Sequence, residues 1–203
     1  MLKPSLRFCL VSAGAYLAAC SHVNQQTEPD QANAPLQQQT SVEQSARLEQ
    51  LAKQSNWRLR GKIGLKSPQK NGSGFIDWQQ KNDQFRLQVS GPLGQGSTTI
   101  TGDQHTLQVQ GADESSAQDP NRQAEEALGW PLPQREMPYW VRGLAAPETP
   151  HQGEWSNGLL QQLEQNGWHI EYQRYSRHRT PLPEKIKLRR DEIHITLVVK
   201  RWQ

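Results

Sequence analysis

The chain has 203 residues, 33% of them hydrophobic, with 23 Lys and Arg against 20 Asp and Glu and a formal net charge of +3 at pH 7. That length suits one folded domain, and the small net charge gives no support for nucleic acid as a partner. The sequence therefore predicts a single domain that does not bind nucleic acid.

The first 19 residues have the features of a secretion signal. Lys3 and Arg7 precede an apolar run, residues 8–19, that is too short to span a bilayer. The run leads into Cys20, and the sequence Leu-Ala-Ala-Cys at this point resembles the lipobox of bacterial lipoproteins, in which the cysteine is lipidated and becomes the N-terminus. An ordinary signal peptide with an incidental cysteine is the alternative.

The lipobox resemblance has three implications. Residues 1–19 are removed, which leaves 21 basic and 20 acidic side chains in the mature chain. Cys9 leaves with them and Cys20 carries lipid, so no disulfide forms within the chain. Ser21, in place of the aspartate that retains lipoproteins at the inner membrane, implies an outer-membrane location.

Residues 20–39 are rich in Gln, Asn and Pro and contain no aromatic residue. This composition buries too little surface to order a chain, so it predicts a flexible tether with a reach of roughly 25 Å. A folded domain is then expected over residues 40–203. Thr40 and Glu43 have capping-box spacing and predict a helix over residues 41–55. Its stripe facing the sheet would consist of Leu48, Leu51 and Ala52.

Apolar and polar residues alternate over residues 57–65, which is typical of a strand with one buried face. Similar alternation recurs in segments 74–78, 85–89, 98–102 and 107–109. Short strands joined by close turns indicate an antiparallel meander. Strands resume at about residue 154 and continue to residue 202, with a two-residue hairpin turn at Asn-Gly 166–167.

Residues 119–144 interrupt this pattern. Asp119 and Pro120 predict the start of a helix that Gly129 ends, and a second short helix is expected from Met137 to Arg142. The segment is too apolar for a solvated connection. We expect it to pack on the mouth or concave face of the sheet.

The sequence contains no Gly-x-Ser-x-Gly, no His-Glu-x-x-His and no phosphate-binding glycine loop. Its six histidines are scattered, and Asp77 falls on the outer face of its strand, where a solvated role is expected. We predict no catalytic residue, no metal site and no cofactor.

Leu93 is an apolar residue in a turn, between Pro92 and Gly94. Two interpretations are open: the leucine folds back to cap the core, or it points outward to meet something apolar.

Six segments together resemble the LolB family of outer-membrane lipoprotein receptors. The match in order and spacing extends over about residues 41–202. The segments are Trp57–Gly64, Asp77-Trp78, Gly91–Gly94, Leu128–Pro133, Tyr139–Leu144 and Asn166–Trp168.

The LolB resemblance implies a mainly β fold of the α+β kind, an unclosed antiparallel β-barrel with a helical lid over an apolar cavity. It implies a monomer that accepts acylated lipoprotein cargo from the periplasmic carrier LolA and inserts it among outer-membrane phospholipids. By position, Leu93, with Pro92 and Gly94, matches the loop associated in the family with membrane insertion. Candidate residues for the cavity wall are Trp57, Ile76, Trp78, Leu87, Ile100, Trp130, Trp140 and Trp168.

Two alternatives remain open at the level of sequence. One is a lipid-anchored structural or interaction protein whose β domain has a full core, and the other is a lipid-anchored enzyme with a dispersed site. Binding of a fluorescent acyl probe would separate a receptor from a filled sandwich.

Overall fold

The computed structural model describes residues 34–92, 96–111 and 117–203. Its first five strands are β1 (Asn56–Lys66), β2 (Asn71–Lys81), β3 (Gln84–Ser90), β4 (Ser97–Gly102) and β5 (Leu107–Gln110). The last five are β6 (His151–Ser156), β7 (Leu159–Gln165), β8 (Trp168–Tyr175), β9 (Pro183–Arg190) and β10 (Ile193–Trp202). The helices are α1 (Ala34–Lys53), α2 (Pro120–Leu128) and α3 (Met137–Trp140).

All ten strands belong to one antiparallel sheet in the order β5-β4-β3-β2-β1-β10-β9-β8-β7-β6. Two meanders, β1–β5 and β6–β10, join where β1 pairs with β10. The edge strands β5 and β6 stand at opposite ends of this order, so the sheet is unclosed. The mainly β, unclosed fold predicted from the sequence is confirmed.

The alternation in the sequence decides which face of the sheet is buried. On β1, Trp57, Leu59, Gly61 and Ile63 are buried, while Arg58, Arg60 and Lys62 between them are at least partly exposed. The other long strands repeat this pattern, and their inward residues form a single hydrophobic core. At the β7–β8 turn Asn166 and Gly167 both have positive φ, 52° and 74°, as a two-residue type I′ hairpin requires.

Gly61 allows the two meanders to approach each other closely. It lies at a register shift in the β1–β10 pairing, and a Cβ at this position would clash with the carbonyl oxygen of Val198. A glycine is therefore required where the two halves of the sheet meet.

The helical segment between β5 and β6 covers the inner face of the sheet; we call residues 117–146 the lid. Asp119 caps α2 by accepting a hydrogen bond from the backbone N–H of Asn121, and Gly129 ends the helix with φ of 81°. These ends agree with the sequence prediction. Trp130 and Trp140 of the lid are both buried in the core.

Helix α1 begins at Ala34, so the predicted start at residue 41 with Thr40 as N-cap is wrong: residue 40 lies inside the helix. Gln, Leu and Ala have good intrinsic helix propensity, and Pro35 is tolerated in a first turn, where its missing N–H has no intrahelical partner. Of the predicted inward stripe, Leu51 is buried but Ala52 is exposed. Within the described residues, no helix is both long and apolar enough to cross a membrane.

Asp77 is partly exposed and paired on the outer face, rather than simply solvated. Arg58 donates two hydrogen bonds to its carboxylate, at 2.7 and 2.6 Å, and Arg60 donates a third at 2.9 Å. The hydrogen bonds from Arg58, followed by the contribution of Arg60, hold the pKa of the Asp77 carboxyl below its ordinary value. The cluster joins β1 to β2.

Candidate functional site

A cavity of about 590 Å³ opens at one end of the sheet. It is surrounded by the β1–β2 turn, the end of β3, the start of β4 and the C-terminal turn of α2. Its volume falls within the range of roughly 300–1,000 Å³ that is usual for small-molecule sites. Its apolar wall consists of Ile63, Leu65, Val89, Leu128 and Trp130.

Glycines create much of this space, because they line the cavity without filling it. Residue 74 must be glycine, because a Cβ there would clash with the carbonyl oxygen of Ser90 on the neighbouring strand. A Cβ at Gly72 or Gly96 would instead meet open space. The outer rim is polar and includes Lys70 and Ser73, both exposed. The cavity therefore has an apolar interior and a polar mouth.

The sequence-predicted wall residues are all buried in one core, but they do not all meet the cavity. Trp130 borders it. The other seven pack within the core and are absent from the cavity wall: Trp57, Ile76, Trp78, Leu87, Ile100, Trp140 and Trp168. Their role in holding a ligand stays a prediction.

Three tryptophans join the lid to the sheet. Trp168 of β8 lies 6.2 Å, between ring centroids, from both Trp130 and Trp140. The Trp140 indole donates a 2.8 Å hydrogen bond to Gln165 Oε1, and Tyr172 donates its hydroxyl proton to the Trp140 carbonyl at 2.9 Å. This part of the lid is packed against the sheet and hydrogen-bonded to it.

Arg142 connects the lid to α1 and is only 4% exposed. Its Nη1 donates to the carbonyls of Leu51 and Gln54, at 2.6 and 2.8 Å, and its Nε donates to Pro138 at 2.8 Å. The guanidinium carbon lies 5.7 Å from the ring centre of Trp57. Burial lowers the pKa of Arg142, while carbonyls at the C-terminal end of a helix favour its positive charge.

Several predicted site residues lie outside the described part of the chain. These are Cys20, the expected lipid attachment site, and Leu93 and Gly94 of the expected insertion loop. Their described neighbours Pro92 and Gly96 both border the cavity. The β3–β4 connection thus begins and ends at the cavity mouth.

Comparison with known proteins assigns this chain to a protein family. Residues 55–202 match the family model described as Outer membrane lipoprotein LolB. A relative named Outer-membrane lipoprotein LolB from Stutzerimonas stutzeri (strain A1501) is 43% identical over 151 residues, which cover 72% of this chain and 73% of the relative. The chain belongs to the LolB family.

Further relatives named Outer-membrane lipoprotein LolB support the same family assignment. The Pseudomonas aeruginosa (strain LESB58) protein is 38% identical over 159 residues, covering 76% of this chain and 78% of the relative. The Ectopseudomonas mendocina (strain ymp) protein is 34% identical over 207 residues, covering 100% of this chain and 97% of the relative. A solved LolA superfamily structure from Nitrosomonas europaea aligns with a TM-score of 0.45 at 10% identity, covering 79% of this chain and 92% of that chain.

The predicted family and outer-membrane lipoprotein location are therefore confirmed. Sequence reasoning missed most of the cavity wall of this LolB-family chain because it favoured large aromatic side chains, which fill space. The useful signal was the concentration of glycines at the ends of neighbouring strands. Gly72, Gly74, Gly91 and Gly96 all line the cavity.

Proposed function

We propose that this LolB-family chain is a lipid-anchored receptor that accepts acylated lipoproteins from the periplasmic carrier LolA. It then inserts them into the inner leaflet of the outer membrane. The anchor is lipid on Cys20, and the insertion loop is the β3–β4 connection, with Leu93 between Pro92 and Gly94. The protein acts as a monomer, without a cofactor.

The observation that carries this proposal is the apolar cavity at the end of the sheet. Its wall residues Ile63, Leu65 and Val89 lie on inward faces of β1 and β3, and Leu128 comes from the lid. An acyl chain placed there would contact carbon on several sides, and a polar group at its end could remain at the hydrated rim. The mouth adjoins the connection proposed to meet the membrane.

The free energy of transferring acyl chains out of water fits a receptor site whose affinity lies between that of the carrier and that of the bilayer. Each methylene kept from water contributes roughly 0.8 kcal/mol, so an acylated protein needs shielding while it crosses an aqueous compartment. The sequence has no phosphate-binding glycine loop, and the proposed steps therefore run towards higher affinity: carrier, then receptor, then bilayer. A partly open cavity holds acyl chains less tightly than the bilayer does.

The alternative of a structural or interaction lipoprotein with a full core is less well supported. The cavity of about 590 Å³ has an apolar wall, which a structural role does not need. Membership in the LolB family also favours lipoprotein localisation over a purely structural role.

Filling the cavity tests the proposal. We expect Val89→Trp to weaken binding of a fluorescent acyl probe by about ten-fold or more, because the indole displaces at least two methylenes of the ligand. Probe fluorescence would be titrated with residues 20–203 carrying Cys20→Ala, a chain that contains every described element. Val89 is half-buried, so a modest change in thermal stability is expected.

Val109→Trp is the matched control, because Val109 is also a half-buried valine on an inward face but lies off the cavity. Probe affinity should be unchanged in this variant. Equal weakening in both variants, or none in either, would contradict the assignment of this cavity as the acyl site.

A further inference from the structure

Four residues with basic side chains stand side by side on the outer face of the sheet; we call Lys66, His194, Arg189 and His169 the basic row. Lys66 of β1 is directly opposite His194 of β10, which is opposite Arg189 of β9, which is opposite His169 of β8. Directly opposed residues in an antiparallel pair have Cβ atoms about 4.5–5.5 Å apart. The basic row is therefore continuous across four strands.

The charge of the row is largely uncompensated. Among the described residues, no carboxylate lies within 4.0 Å of the charged atoms of Lys66, Arg189 or His194, and only His169 has such a partner, Glu164 at 3.1 Å. Lys66, Arg189 and His194 are all exposed.

The basic row lies at the cavity end of the sheet. Lys66 is the last residue of β1 and pairs with Asn71, which lines the cavity. Ser90, where β3 ends and the β3–β4 connection begins, pairs with Phe75 near the start of β2. The connection and the basic row consequently point towards the same end of the molecule.

The row lacks features of a protein-docking surface. Protein interfaces bury an apolar centre, often aromatic. The next residues inward along the four strands are Gly64, Thr196, Lys187 and Glu171, none of them a large apolar residue. The exposed cations Lys66 and Arg189, with an exposed imidazole between them and no apolar centre, fit a layer of phosphate groups better than they fit another protein.

We propose that the basic row binds the headgroups of anionic phospholipids and holds the cavity mouth against the bilayer during delivery. This inference rests on the proposed function, since it assumes that the β3–β4 connection meets the membrane. Lys and Arg near an anionic surface each raise membrane affinity roughly five-fold. The row gives the insertion loop a second, electrostatic contact with the same surface.

The test compares two double variants of residues 20–203 carrying Cys20→Ala. Lys66→Gln with Arg189→Gln removes two charges from the row. Lys81→Gln with Arg201→Gln removes two exposed charges at the opposite end of β2 and β10, with the same change in net charge. Co-sedimentation is measured at low salt with vesicles of phosphatidylglycerol and phosphatidylethanolamine in equal parts, and with vesicles of phosphatidylcholine alone.

We expect the row variant to lose roughly 30-fold in affinity for the phosphatidylglycerol vesicles, and the opposite-end variant to lose far less. Neither should change binding to phosphatidylcholine. Equal losses in both variants would overturn the inference in favour of a general charge effect. Unchanged vesicle binding, with slower cargo acceptance from LolA, would overturn it in favour of the carrier.

Acyl-probe binding, measured on the same samples, separates this inference from the proposed function. If the row variant binds the probe normally and binds phosphatidylglycerol vesicles as tightly as the unsubstituted chain, the proposal for the basic row alone is refuted. An unsubstituted chain that binds no probe refutes the acyl-binding cavity on which the proposed function depends. Thermal unfolding of each variant checks that the fold is intact.

Discussion

Leu93→Glu is expected to accept lipoprotein from LolA and to fail to pass it to liposomes. An exposed leucine that enters a bilayer contributes about 1.5–3 kcal/mol, and glutamate loses this gain and adds the cost of placing charge among lipids. The substitution leaves the apolar wall residues of β1, β3 and α2 unchanged, so acyl binding should be retained. Both steps can be followed with a radiolabelled lipoprotein, first after mixing with loaded carrier and then after adding liposomes.

Leu93→Phe is the control, because it keeps an apolar tip at the same position. This variant should deliver cargo as the unsubstituted chain does. If Leu93→Glu unfolds the domain or blocks acceptance, the leucine caps the core and the insertion role assigned to it is wrong.

Arg142→Ala is expected to lower the free energy of unfolding by about 3 kcal/mol. The substitution removes three hydrogen bonds from a charged donor and leaves the carbonyls of Leu51, Gln54 and Pro138 without that donor. Relief from burying the cation offsets part of this loss. Arg142→Lys keeps the charge but not the forked donor geometry, so an intermediate loss is expected.

Arg135→Ala provides a comparison within the lid. Arg135 also donates to a backbone carbonyl, that of Gln104 at 3.3 Å, but it is exposed. A change within about 0.5 kcal/mol is expected there. Urea unfolding would give the change in free energy of unfolding for Arg142→Ala and for Arg135→Ala. If the change for Arg142→Ala is as small as that for Arg135→Ala, Arg142 does not hold the lid to α1.

The sheet was predictable from the sequence because its signals are local. The alternation along β1 follows from one buried face, and the turn at Asn166 and Gly167 follows from the two positive φ angles that a tight hairpin needs. The limits of α2 were predictable for the same reason. The side chain of Asp119 caps its N-terminus, and Gly129 ends it in a left-handed backbone conformation.

The remaining features depend on contacts between distant residues. The role of Arg142 requires carbonyls 91 and 88 positions away in the sequence, and no local pattern specifies that approach. The cavity depends on where side chains are missing, at Gly72 and Gly96, whereas hydrophobicity draws attention to large residues such as Trp140. The early start of α1 was missed because polar composition was taken to indicate absence of helix.

Transfer of cargo tests the central claim most directly. A lipoprotein bound to purified LolA is mixed with the lipid-anchored chain reconstituted in liposomes, without nucleotide, and the cargo is followed by sedimentation. The proposed function predicts that cargo leaves the carrier and enters the liposome fraction, and that Val89→Trp slows this movement. Cargo that remains on LolA, or that enters liposomes equally fast when the chain is absent, would contradict it.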